Sequence, residues 1–319
     1  MLRSRPRVGP CLGALAVAVA TAVGHAGAGN AQTAEPAWLQ IVNSYRTSAG
    51  LPRVSEEPAW TDAVAKHAVY LAMTGSMVHG EDADSPYYSP EGAAAAEKSV
   101  LAGGRGTMRS DRDLIDGWMT APFHALHFLE PRLQRVAFAS THGLTDASLN
   151  SSAVLDVVHG IGAKVVTDRP ITFPAGGSTT PLTSFLAETP DPLSACPGYA
   201  VPAGLPLLAL FPTAPGATTA TLSMGGQRVE ICLIDNGYAN PDATDQRTVR
   251  MLLSQKNAVV IVPRVPLRPG ATYTARVTTA WAGTVEWSFT AQSEGSALPG
   301  PSVAIAFVPS GKAAVVKTR

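Results

Sequence analysis

The chain has 319 residues, with 24 Lys and Arg against 24 Asp and Glu, so its formal net charge is zero. Such a balance gives no electrostatic reason to expect nucleic acid or an anionic lipid surface as partner. It opens on Arg3, Arg5 and Arg7, continues in an apolar run from Cys11 to about Val23, and reaches small residues at Ala26-Gly27-Ala28 and Gly29-Asn30-Ala31. A basic segment, a short apolar segment and small residues are the parts of a secretory signal. The run is shorter than the roughly 20 apolar residues that cross a bilayer, so residues 1–31 are expected to be a removed signal peptide and the protein to be secreted. No later stretch is expected to span a membrane. The mature chain keeps two cysteines, Cys196 and Cys232, and in an exported protein such a pair is expected to form one disulfide.

After the leader the first elements are helical. Trp38, Ile41, Val42 and Tyr45 recur at i, i+3, i+4 and i+7, one apolar stripe, and Gly50 is a plausible stop. A second helix starts near Pro58, carries Trp60, Val64, His67, Ala68 and Leu71 along one face, and ends at Gly75. A long connection, 76–110, follows, and the Ala run within it predicts a helix over Gly92 to Leu101. Connections of that length usually carry function or move. Ser110-Asp111-Arg112-Asp113 resembles a capping-box start for a third helix that buries Leu114, Ile115, Trp118 and Met119 and closes at Pro122. A short helical turn, His124 to Leu129, leads to strand candidates at 135–139, 153–158 and 171–173. Helices first and strands later predict an α+β domain over residues 32–175.

The character changes near residue 175. Strands are expected at 207–211, 218–224, 228–234, 258–263, 273–280 and 284–290, punctuated by Gly225-Gly226, Pro269-Gly270 and Gly283. This spacing predicts a small all-β sandwich over residues 176–292. Residues 293–319 form a tail, holding either a last strand at 303–308 or a flexible end.

Several segments together resemble the CAP superfamily, the cysteine-rich secretory protein, antigen 5 and pathogenesis-related 1 proteins, in its bacterial SCP-like branch. Asn43-Ser44-Tyr45-Arg46 with Ala49-Gly50-Leu51 resembles that family's first helix and its exit. Trp60 to Ala72 followed by His79 resembles its second helix and the histidine after it. Trp118-Met119, Pro122, His124 and Leu129 resemble its "Trp-x-x-Ser-Pro-x-His" segment, and Val136-Ala137-Phe138 the strand that follows. The resemblance covers roughly residues 37–160 and implies an α-β-α sandwich. Pro266 to Gly270 leading to Tyr273, with Trp287-Ser288-Phe289-Thr290, resembles bacterial immunoglobulin-like modules.

In the family a cleft holds two histidines and two acidic residues. Matched position by position, the histidines fall on His79 and His124. Glu97 is the nearest match for one acid, with Glu91 as the alternative, and Glu81 lies beside His79. The second acidic position falls on Ala121. The resemblance thus implies a binding cleft of His79, Glu81, Glu97 and His124. His79 and His124 are also candidate ligands of a divalent metal such as zinc, which would need Glu81, Glu97 or His127 as a third ligand. Metal-free structural histidines are the alternative. There is no Gly-x-Ser-x-Gly nucleophile segment and no phosphate-binding Gly-rich loop, so no catalytic residue is assigned. The expected function is a secreted, non-catalytic module that binds a small apolar ligand such as a lipid, a metal, or a cell-envelope partner. The alternatives are a metal-dependent hydrolase using His79 and His124 and an inert envelope or adhesion protein.

Overall fold

A computed structural model describes residues 34–163, 167–293 and 303–306. The segment read as a signal peptide lies outside the described residues. The described residues from Glu35 onward belong to one compact unit, which is mixed: an N-terminal region of helices around a sheet and a C-terminal region built mainly of sheets.

The N-terminal region contains α1 (Ala37–Ser48), β1 (Ser55–Glu56), α2 (Thr61–Thr74), α3 (Pro90–Ala96), β2 (Ser99–Gly104), α4 (Asp111–Thr120), α5 (Pro122–Phe128), β3 (Arg135–His142) and β4 (Ser151–Asp156). The apolar periodicity of α1 is realised, with Leu39, Ile41, Val42 and Tyr45 buried. At the end of α2, Gly75 takes a left-handed φ of 71°, and a Cβ there would stand 2.9 Å from that of Ser148, so glycine is required. The capping box forms at α4: the Asp113 N–H donates to Ser110 Oγ at 3.2 Å and the Ser110 N–H to Asp113 Oδ2 at 3.0 Å. The Trp118 indole N–H then donates to the Leu101 carbonyl at 2.9 Å, fixing α4 on β2.

The helix expected over Gly92 to Leu101 is half helix and half strand. Ser89 caps the seven-residue α3, its side chain accepting from the Gly92 N–H, and the chain then enters β2. All six residues of β2 are buried, and the strand is paired on one side with β4, from Ser99↔Asp156 to Gly104↔Ser151. Burial and two-sided pairing outweigh the helical preference of the preceding alanines.

In the C-terminal region follow β5 (Ile171–Phe173), β6 (Thr179–Thr180), β7 (Ser184–Phe185), β8 (Ala203–Gly204), β9 (Leu207–Leu210), β10 (Thr218–Met224), β11 (Gln227–Val229), β12 (Ile231–Ile234), α6 (Ala243–Lys256), β13 (Ala258–Pro263), β14 (Thr272–Thr279) and β15 (Thr284–Ala291), and last β16 (Val303–Ala306). One sheet has the order β11-β10-β14-β15-β6, another β12-β13-β9-β5, and β7 pairs with β8. Along β14 the buried residues Tyr273, Ala275, Val277 and Thr279 alternate with less buried ones, the period of a half-covered sheet. By contrast β13 is buried throughout. The expected strand 171–173 is hydrogen-bonded to β9, within the C-terminal sheets. The tail strand pairs antiparallel with β2, so the N-terminal sheet reads β1-β3-β4-β2-β16. The expected disulfide is present between Cys196 and Cys232, with Cα atoms 5.7 Å apart.

Helix α6 is absent from the sequence reading. Its signals are local: Asp242 caps it, accepting from the N–H groups of Thr244 and Asp245 at 2.8 and 2.9 Å, and Val249, Leu252 and Leu253 form its buried face. One hydrophobic core runs from Trp118, Phe123 and Phe128 into Phe185, Leu253 and Phe289, so the two regions share an interior.

Candidate functional site

The Asn43-x-x-Arg46 pair of α1 braces the backbone around it. Asn43, fully buried, exchanges two hydrogen bonds with Val54: its Nδ2 donates to the carbonyl at 2.9 Å and its Oδ1 accepts the N–H at 2.8 Å. The buried Arg46 guanidinium donates to four carbonyls: Pro52 at 2.9 Å, Phe128 at 2.6 Å, Glu130 at 3.0 Å and Leu133 at 3.1 Å. These bonds hold the chain leaving α5. Burial brings the Arg46 guanidinium down to about 10, against the pull of Glu130, so it stays charged at neutral pH.

Every residue of α5 is buried. Its His124 faces a carboxylate that the sequence reading did not select, Glu188. Nδ1 of His124 lies 2.5 Å from Glu188 Oε1, and the same carboxylate accepts the N–H groups of His124 at 2.9 Å and Phe123 at 3.2 Å. Both side chains are 0% exposed. With the carboxylate accepting, the proton sits on Nδ1. Burial pushes the Glu188 carboxyl above its ordinary range, opposed by its bonds to His124. Glu188 follows Leu186-Ala187 and precedes Thr189. No motif marks it, and a lone acid at the end of an apolar stretch is the one sequence signal it offers. It supplies a carboxylate beside His124, whereas the matched position, Ala121, has none.

One turn along, His127 is 4% exposed. Its imidazolium is disfavoured first by burial and then by Lys256, His124 and His79, with Glu130 opposing. Both predicted histidines therefore lie within electrostatic reach of His127. His79 is half-buried, and its Nδ1 lies 3.0 Å from the Ala96 carbonyl at the end of α3.

The two expected carboxylates differ in their surroundings. Glu81 has no exposed side-chain surface and stands 3.0 Å from His67 Nδ1; its other oxygen accepts the Ser89 N–H at 2.7 Å. The second ring nitrogen of His67 lies 3.1 Å from the Val78 carbonyl, and burial lowers its affinity for a proton, with Glu81 opposing. Glu81 and His67 thus form a second buried histidine–carboxylate pair, fixing the connection after α2. Glu97 is exposed at the C-terminal end of α3. Of the remaining histidines, His142 lies 2.9 Å from Asp111 and His159 stacks on Trp60 with ring centroids 4.0 Å apart. Among the described residues no group of three or more His, Cys, Asp or Glu is arranged to hold a metal ion, whereas a catalytic zinc takes three protein ligands.

An apolar groove lies along the exposed side of α2. Val69, Pro86, Tyr87 and Tyr88, with Ala65 and Lys66, line a groove of 370 Å³. Val69, Tyr87 and Tyr88 are 39%, 39% and 38% exposed. The loop carrying the tyrosines is tied down: the Ser85 N–H donates to the Asp82 carbonyl at 3.0 Å and the Tyr88 N–H to the Ser85 carbonyl at 3.1 Å. The Asp82 N–H donates to the Tyr70 hydroxyl at 3.0 Å.

No helix among the described residues is long and apolar enough to cross a membrane. No curated protein matches the chain. The family model described as CAP, the cysteine-rich secretory protein family, matches residues 39–147, a span that holds α1 to α5, His79 and His124 but stops short of Glu188. Members of that family are commonly secreted, and the disulfide is consistent with an oxidising compartment. Residues 39–147 form a domain of the CAP superfamily.

Proposed function

We propose that this is a secreted, non-catalytic binding module that takes a small apolar ligand in the groove formed by α2 and the 86–88 loop. The observation that carries this reading is the groove itself: 370 Å³ in volume, within the size range of small-molecule sites, and lined by two tyrosines on a hydrogen-bonded loop. Tyrosine offers a broad apolar face with a polar tip at little entropic cost, and a fixed loop reduces the ordering cost of binding.

The histidines favour structure over catalysis in this reading. General acid–base work needs a side chain within about 3 Å of the proton it moves. The His124 and Glu188 side chains have no exposed surface, and their geometry fastens α5 to the C-terminal region. The paired sheets after residue 175 support an immunoglobulin-like spacer that presents the N-terminal region.

Binding of a fluorescent sterol, dehydroergosterol, to the full mature chain tests the proposal. Saturable binding is expected, with Val69→Glu weakening it at least tenfold. Val69 is partly exposed on a helix face, and such surface changes usually alter stability by only about 0.5 kcal/mol, so the unfolding midpoint should stay near that of the wild type. Equal affinity in the variant, or no saturable binding at all, would remove this site from the account.

A further inference from the structure

Where α5 ends and α6 ends, two cations pair with one carboxylate and a third is bound to the backbone of the same residue. Glu130 Oε1 accepts from Arg132 Nε at 2.7 Å, and Oε2 accepts from Arg132 Nη2 at 3.2 Å and from Lys256 Nζ at 2.5 Å. The Arg46 guanidinium donates to the Glu130 backbone carbonyl at 3.0 Å. Among the described residues Glu130 is the one carboxylate within ion-pair distance of Arg132 or Lys256, and none reaches Arg46. The C-terminal end of α6 adds a partial negative charge of about half a unit, which leaves the cluster with an excess of positive charge. Lys256 and Glu130 lie largely out of water, with side chains 8% and 4% exposed, whereas that of Arg132 is 41% exposed.

Lys256 also has donors to spare. An ammonium carries three N–H groups, and its one hydrogen bond among the described residues goes to Glu130. Lys256 and Arg132 line a cleft of 450 Å³ whose wall includes Pro131, Ile171, Leu210 and Phe211. The cleft lies outside the matched family span on its Ile171, Leu210 and Lys256 sides, at a junction between regions, where small-molecule sites are common.

We propose that this cleft is a second binding site, separate from the α2 groove, that takes a small amphipathic carboxylate. The carboxylate accepts from Lys256 and Arg132 and neutralises the excess charge, while its apolar body lies along Ile171, Leu210 and Phe211. Arginine and lysine together suit a carboxylate, the first through its planar fork and the second as a point charge.

Titration calorimetry of the full mature chain with octanoate and with octanol tests this, since the two probes share a chain and differ in the charged head. Octanoate is expected to bind with one-to-one stoichiometry and octanol at least tenfold more weakly. Lys256→Met should weaken octanoate binding at least tenfold. Because that change removes a buried charge partner, Thr213→Glu provides the second arm: Thr213 is an exposed residue at the cleft, and a carboxylate there should also weaken octanoate at least tenfold while leaving the unfolding midpoint unchanged. Equal binding of octanol and octanoate, unchanged affinity in Thr213→Glu, or no octanoate binding at millimolar concentration would overturn the assignment and leave the cleft to water.

Discussion

Glu130→Gln probes the junction between the two regions most quantitatively. Burial alone would raise the Glu130 carboxyl, but the hydrogen bonds and charges of Arg132 and Lys256 prevail and hold it at about 2, against an ordinary 4.5. A folded-state value below the unfolded one means that the unfolded chain binds more protons in that interval, so stability falls as pH falls. The contribution is fully present above about pH 5 and is lost progressively towards pH 2. At about 1.4 kcal/mol per unit the difference amounts to about 3 kcal/mol at pH 7, falling to about 2 kcal/mol at pH 3.5. These are upper values, because the Arg132 side chain is 41% exposed and solvent screens its share. Glutamine keeps the shape and one acceptor but not the charge. Urea denaturation of wild type and variant at several pH values, followed by tryptophan fluorescence, should show a gap near 3 kcal/mol at neutral pH that narrows on acidification. A variant as stable as the wild type at pH 7, or a gap independent of pH, would refute the reasoning.

Three further outcomes follow from named contacts. Glu188→Ala removes the acceptor of three donors from a site with no exposed surface and should cost about 4 kcal/mol in urea unfolding, whereas Glu188→Gln should cost less than half of that. Arg46→Met leaves four carbonyls without their donor and should cost about 4 kcal/mol, with proteolysis appearing first between residues 128 and 134. Opening the disulfide by replacing both Cys196 and Cys232 with Ser frees a loop of sequence separation 36, for an expected loss of about 4 kcal/mol on the chain-entropy account. Wild type treated with a reductant should show the same loss.

The parts of this fold that announce themselves in sequence are those whose physics is local. Ser110 and Asp113 cap α4 as their spacing implies, and the stripe from Trp38 to Tyr45 seats α1 on the core. The strand β2 was hidden because its small and apolar residues, Ser99 to Gly104, have no alternating pattern: with all six residues buried, nothing in the sequence tells strand from helix. Helix α6 carried a cap at Asp242 and an apolar face, yet lay in a stretch dominated by turn residues and strand formers. The site divides in the same way. His79 and His124 were legible through their family context, and His67 through its place on the inner edge of α2. The carboxylate partnering His124 was not legible, because Glu188 is 64 residues away along the chain and only folding of the C-terminal region brings it there. Lys256 was hidden for the same reason, since its partner Glu130 is 126 residues away.

The claim that the histidines hold the fold while an apolar surface does the binding is tested most directly by amide and imidazole chemical shifts of the isotope-labelled mature chain during titration with dehydroergosterol. The account predicts shifts at Val69, Tyr87 and Tyr88 that saturate together, with the His124 and His127 ring signals unmoved. Saturating shifts of those two imidazoles, with Tyr87 and Tyr88 silent, would contradict it and place the ligand in the buried histidine site.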